Sequence, residues 1–345
     1  MSAEEQRTAA APASNPYRIL VVAPAWVGDM VMAHTLVSLL QQRHGAPQIE
    51  MLAPPATEPL ARRMPGVSRS RRLEVGHGEL NLAGRRAAAL ALRRDNFDQA
   101  ILLPNTVKSA LVPAWARIPL RTGWHGESRY GLLNDRRRLD ESRYRLMIER
   151  FMALALPPGE PLPRPYPRPV LDVDADNRQR LLTELALSLD GGVLVLCPGA
   201  EFGPAKRWPA AHYAAVARHA LAAGRQVWLL GSPKDAAACG EIASLAPDAV
   251  DLAGRTSLLD ALDLLSLADK VVCNDSGLMH MAGAVGADVV AVFGSTSDDF
   301  TPPLGDRARV LRLGLPCSPC FQRECPLGHL RCLKDLAPEQ VIAAL

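Results

Sequence analysis

A chain of 345 residues exceeds one typical domain, so two domains are expected. With 48% hydrophobic and 22% charged residues it has the composition of a globular protein. No apolar run approaches the roughly 18 residues that a membrane-spanning helix needs. Net charge is +3, yet residues 1–156 hold 22 Lys/Arg against 14 Asp/Glu and the remainder 17 against 22.

In chain order, residues 1–16 contain Ala, Glu and Pro without an apolar centre. They read as a disordered tail rather than a signal peptide, so a cytoplasmic location is expected. The run YRILVVAP at 17–24 reads as a buried strand, and 29–43 has helical spacing of apolar residues. A strand at 48–53, helices at 58–64 and 80–94, a strand at 99–103 and a helix at 107–115 follow. Seven prolines within 157–169 mark a stiff linker. Beyond it, strands are expected at 193–197, 226–230, 270–273 and 288–293, and helices at 211–223, 235–245, 258–268 and 278–285. This alternation predicts two doubly wound α/β domains, 17–156 and 171–345, joined by a linker at 157–170 and facing a central cleft.

Three segments after strands carry chemistry. In PAWVGDM (24–30), Asp29 is either a first-turn acid favoured by the helix dipole or a general base at the cleft mouth. In CPGAEFGPAKRWP (197–209), a rigid Gly/Pro loop brings Lys206 and Arg207 to a helix start, an arrangement suited to an anion. An ordinary strand–helix connection reads the same way. In VVCNDSGLMH (271–280), Asp275, Ser276 and Gly277 can cap a helix while leaving amides free for a phosphate, with His280 one turn in. The segment GSTSDD (294–299) is expected beside it. Neither a P-loop nor G-x-G-x-x-G after a strand is present.

Six stretches in fixed order carry a resemblance: PAWVGDMVMAHTL (24–36), LPNTVKSALVP (103–113), RTGWHGESRYGLLND (121–135), CPGAEFGPAKRWP (197–209), NDSGLMHMAGAVG (274–286) and FTPPL (300–304). Over roughly 17–313 the chain resembles the ADP-heptose:lipopolysaccharide heptosyltransferases, particularly those that add the second core heptose. The resemblance implies a GT-B fold, an acceptor held by the first domain and ADP-heptose held by the second. It also implies inverting transfer that needs no metal, with Mg²⁺ at most stimulatory. By position, Asp29 matches the catalytic carboxylate and Lys206 the lysine that meets the donor diphosphate. Asp275, Ser276, Gly277, Leu278 and His280 match the nucleotide-sugar signature.

On this reading a helix N-terminus keeps Asp29 ionised. The acceptor is an anionic lipid A–Kdo–heptose at the cytoplasmic face of the inner membrane. The basic first half then supplies its contacts, with Arg62, Arg63, Arg121 and Arg129 as candidates. A different acceptor within the family and a non-catalytic nucleotide-sugar binder are the alternatives. Nucleic acid is not expected, because aromatics are only 5% and show no stacking platform.

Cys317, Cys320, Cys325 and Cys332, with His329 among them, leave three states open: a zinc or iron–sulfur site, free thiols or disulfides. Cys197, Cys239 and Cys273 read as core residues.

Overall fold

The computed structural model describes residues 16–75 and 78–345, so the tail expected over 1–16 lies, except for Pro16, outside the described residues. The first half runs β1 (Arg18–Val22), α1 (Val27–Met32), α2 (His34–His44), β2 (Gln48–Ala53), α3 (Glu58–Ala61), β3 (Val67–Arg72) and α4 (Leu82–Leu92). It continues with β4 (Gln99–Leu102), α5 (Val107–Trp115), β5 (Leu120–Trp124), β6 (Asp135–Arg137) and α6 (Met147–Met152). The second half begins with α7 (Ala175–Glu184), β7 (Val193–Cys197), α8 (Ala210–Ala222), β8 (Gln226–Leu229), α9 (Ala236–Leu245) and β9 (Val250–Asp251). It ends with α10 (Leu258–Leu265), β10 (Lys270–Asn274), α11 (Gly277–Ala284), β11 (Asp288–Val292), β12 (Ala308–Leu311), α12 (Arg331–Lys334) and α13 (Pro338–Ile342).

Each half builds one six-stranded sheet among the described residues, in the orders β3-β2-β1-β4-β5-β6 and β12-β11-β10-β7-β8-β9. Every ladder is parallel. Read from the other edge, the second sheet has the same order as the first: both start at the centre and reverse direction once. The reversal falls between β1 and β4 in one sheet and between β7 and β10 in the other. Crevices at such switch points, beyond the strand C-termini, are where open α/β sheets bind ligands.

The central strands are apolar on both faces, as helix-covered parallel strands must be. Val193–Cys197 and Leu20–Val22 are buried throughout. The outer strands differ. β3 reads VSRSRR, and its Arg71 ion-pairs with Glu50 and with Asp95, the latter at 3.0 Å. No apolar alternation marks it, because an edge strand buries little. β5, β6, β9 and β12 were likewise not expected from sequence, nor were α6, α7, α12 and α13. The single helix expected over 29–43 is two, divided at Ala33, and the first begins two residues before Asp29.

One apolar cluster is continuous across the two halves, joining Val21, Met30 and Val31 to Met279, Met281 and Val195. Polar ties reinforce it. Arg63 grips the wholly buried Asp263 with both terminal guanidinium nitrogens, at 3.0 and 3.3 Å. The Asp172 N–H donates to the Arg63 carbonyl at 2.7 Å, and the Met147 N–H to the Phe300 carbonyl at 3.0 Å. The proline-rich segment lies against the same cluster through Leu162 and Tyr166. Just after it, the Val170 N–H donates to His34 Nδ1 at 3.1 Å. No helix among the described residues is long and apolar enough to cross a membrane.

Candidate active site

The chain leaves β1 at Val22 and starts α1 at Val27, which puts Asp29 in the first turn of that helix. β10 ends at Asn274, and α11 starts at Gly277 with Ser276 at its N-cap. The two helix starts touch through glycine. A Cβ on Gly277 would stand 2.6 Å from Val27 Cγ1, and one on Gly28 would stand 2.8 Å from His280 Cδ2. Only a missing side chain permits that approach. Asp29 is thereby brought from the first sheet to the switch point of the second.

Lys206 closes the one-turn 3₁₀ helix Pro204–Lys206 in the loop after β7. Its Nζ lies 2.5 Å from Asp275 Oδ2 and 5.0 Å from the Phe202 ring centre. The Thr296 hydroxyl donates to the same Asp275 oxygen at 2.6 Å. This corrects the expectation that Asp275 and Ser276 cap α11. The Asp275 carboxylate is engaged by a cation and a hydroxyl, and Ser276 makes no side-chain cap bond. The Ser276 hydroxyl, the neighbouring Ser295 hydroxyl and His280 Nδ1 are buried, with no hydrogen-bond partner among the described residues. Buried polar atoms left unpaired within a chain mark places where a ligand can complete the bonding. Leu278 is half-buried and packs against the central apolar cluster, so it shapes the helix seat.

The electrostatics of Asp29 and His280 differ from the sequence reading at one point. Burial pushes the Asp29 carboxyl up to about 6; Lys206 opposes that rise and Asp275 adds to it. The expectation that a helix N-terminus keeps Asp29 strongly ionised is thereby corrected: desolvation dominates and raises its pKa. His280 moves the other way: burial lowers its pKa to about 4, against the pull of Asp275, so its ring is neutral near pH 7.

The candidate acceptor arginines are mostly committed elsewhere. Arg129 is wholly buried and donates to the carbonyls of Pro104 (2.9 Å) and Trp124. Arg121 serves the Ile118 and Leu132 carbonyls at 2.6 and 2.7 Å, and Arg63 is the tie to Asp263. Arg62 faces solvent, paired with Glu58 at 2.8 Å. Carbonyl-binding duty of this kind leaves no signal in the sequence around an arginine, and of the four only Arg62 keeps its side chain largely exposed.

None of the seven cysteines is paired in a disulfide. Cys197, Cys239 and Cys273 are buried, as expected of core residues. Cys317, Cys320, Cys325, Cys332 and His329 line one small pocket that Ala205 and Ser295 also line. Among the described residues no three potential ligand side chains are arranged to hold a metal ion. The segment nonetheless backs both loops of the site. The Ala205 N–H donates to the Arg323 carbonyl at 3.1 Å, and the Phe321 N–H to the Ser295 carbonyl at 2.7 Å.

Two parallel α/β halves of one strand order, meeting at the helix starts that follow β1 and β10, form the architecture of GT-B glycosyltransferases. A family model described as glycosyltransferase family 9 (heptosyltransferase) matches residues 85–331. Lipopolysaccharide heptosyltransferase 2 of Escherichia coli strain K12 is 43% identical over 338 residues, covering 95% of this chain and 97% of the relative. The protein of the same name from Salmonella typhimurium is 42% identical with the same coverage. The solved structure of E. coli ADP-heptose lps heptosyltransferase II superimposes with a TM-score of 0.85 at 41% identity, covering 95% of this chain and 97% of that one. The chain belongs to glycosyltransferase family 9, the heptosyltransferases.

Proposed function

We propose that this chain transfers L-glycero-D-manno-heptose from ADP-heptose, with inversion, to the heptosyl-Kdo2-lipid A inner core of lipopolysaccharide. Relatives named for that heptosyltransferase step align along nearly the whole chain. The observation that carries the chemistry is the meeting of Asp29 with Lys206, Asp275 and His280, close enough that Lys206 and Asp275 shift the titration of both Asp29 and His280.

In the proposed step, Asp29 accepts the proton of the attacking acceptor hydroxyl. That oxygen forms its bond to the anomeric carbon from the face opposite the diphosphate, and the old carbon–oxygen bond leaves with its electron pair on ADP. A carboxylate titrating near 6 is ionised at neutral pH yet basic enough to take a proton late in the transfer. Lys206 and the free amides at the start of α11 receive the charge that grows on the leaving diphosphate. Ser276 and His280 offer it unpaired polar atoms, and Asp275 orients Lys206. These groups do what a divalent cation would do, so transfer is expected to need no metal, with Mg²⁺ at most stimulatory. The first half, with its basic excess, takes the anionic acceptor at the cytoplasmic face of the inner membrane.

The test is to incubate the protein with ADP-heptose and purified acceptors, following ADP release with and without a chelator. Release with heptosyl-Kdo2-lipid A, undiminished by chelator, is expected. Release with Kdo2-lipid A alone places the enzyme one step earlier, and ADP-heptose binding with no release for any acceptor makes it a binder.

A further inference from the structure

Asn274 is the last residue of β10 and is wholly inaccessible to solvent. A primary amide at that depth is costly unless both ends are bonded. Here both are. Its Nδ2 donates to the Pro198 carbonyl at 2.7 Å, and its Oδ1 accepts the Trp208 N–H at 3.0 Å. Pro198 and Trp208 are the two ends of the loop that carries Lys206. One side chain thus pins both feet of that loop to the strand that delivers Asp275 and Ser276. The far side of the loop is closed as well, because a Cβ on Gly203 would stand 2.5 Å from the Arg323 carbonyl oxygen. Trp208 is locked in turn by its indole N–H to the Leu336 carbonyl at 2.9 Å. Together with the Lys206–Asp275 ion pair, the amide of Asn274 ties the lysine loop to β10 and so to the start of α11.

We propose that Asn274 is a positioning residue for transfer: it fixes Lys206 against the start of α11 so that ammonium and helix amides address one diphosphate. This rests on the reading of Lys206 as the diphosphate contact. An aliphatic residue would suit the burial, and an aspartate could not serve both bonds while ionised, since it has no donor for Pro198. Asparagine is the side chain that offers a donor and an acceptor at once in that span.

The experiment is a double-mutant cycle on the full chain with Asn274→Ala, Lys206→Ala and the pair, measuring kcat and KM for ADP-heptose and for acceptor, with thermal melts of each. Misplacement by about an ångström can cost on the order of 100-fold. Asn274→Ala is expected to raise donor KM and lower kcat by about 10- to 100-fold combined, with acceptor KM unchanged. On the Lys206→Ala background it should add less than about threefold. If the two losses simply multiply, or if only the active fraction falls with donor KM unchanged, the positioning role is overturned. If Lys206→Ala alone leaves donor KM and kcat intact, the diphosphate reading of Lys206 fails instead. Asn274→Ser, which can keep one of the two bonds, covers the case in which the alanine variant does not fold. It should fall between wild type and the expected alanine loss, and wild-type kinetics in it would overturn the proposal.

Discussion

At the scale of single residues, Asp29 and His280 sit in one desolvated spot and titrate in opposite directions. An ordinary histidine and an elevated carboxylate would both give a kinetic limb near pH 6. Burial removes that ambiguity, since His280 is driven down to about 4 while Asp29 is driven up to about 6. A base must be ionised to act, so kcat/KM is expected to be level above pH 7 and to fall as pH drops through about 6. Below that the loss approaches tenfold per unit. Stopped assays between pH 5 and 9 check it, and a profile still level at pH 5 contradicts the assignment. Lys206 and Asp275 show what a linear reading misses. Each was legible as a polar residue after a strand, but their mutual ion pair joins loops 69 positions apart. The Asn274 amide had a visible signal, a polar side chain ending an otherwise apolar strand, and its two partners could not be named without the fold.

Between elements, the contact of α1 with α11 decides whether the site exists. Both helices are short, and each presents a glycine at the crossing. Gly277→Ala puts a methyl group 2.6 Å from Val27 Cγ1, and overpacking of this kind costs about 1–3 kcal/mol. The expected result is a lowered melting temperature together with a loss of turnover larger than the stability change explains, because Asp29 is moved off the donor. Melting curves and kcat measured on the same preparation check this; unchanged kcat contradicts it. The tie between Arg63 and Asp263 acts at the same scale. Removing one partner of a buried pair typically costs about 3 kcal/mol, and Arg63→Ala is expected to destabilise by about 2–3 kcal/mol. Asp263 keeps its bonds from Asn177 (2.7 Å) and the Asp174 N–H (2.9 Å), which limits the loss. Urea titration of the variant measures it.

For the whole molecule, the paired sheets were legible where strands are buried on both faces. Val193–Cys197, Lys270–Asn274 and Asp288–Val292 are short apolar runs between breakers, and periodicity with flanking Gly or Asp finds them. VSRSRR at 67–72 and DRR at 135–137 were not legible, because sheet-edge strands are held by a single neighbour and by ion pairs rather than by apolar burial. The site was legible as three separate post-strand segments. What makes it one site is the repeated strand order, which aims the C-terminal ends of β1, β7 and β10 at a common place, and two glycines that let the halves close there. The central claim is that proton removal comes from the first half and donor binding from the second. Asp29→Asn tests that division most directly, with kcat and ADP-heptose affinity measured side by side. The account predicts a fall in kcat of about 10²–10⁴-fold with affinity within a fewfold of wild type. Near-normal turnover, or loss of donor affinity in proportion to kcat, would contradict it.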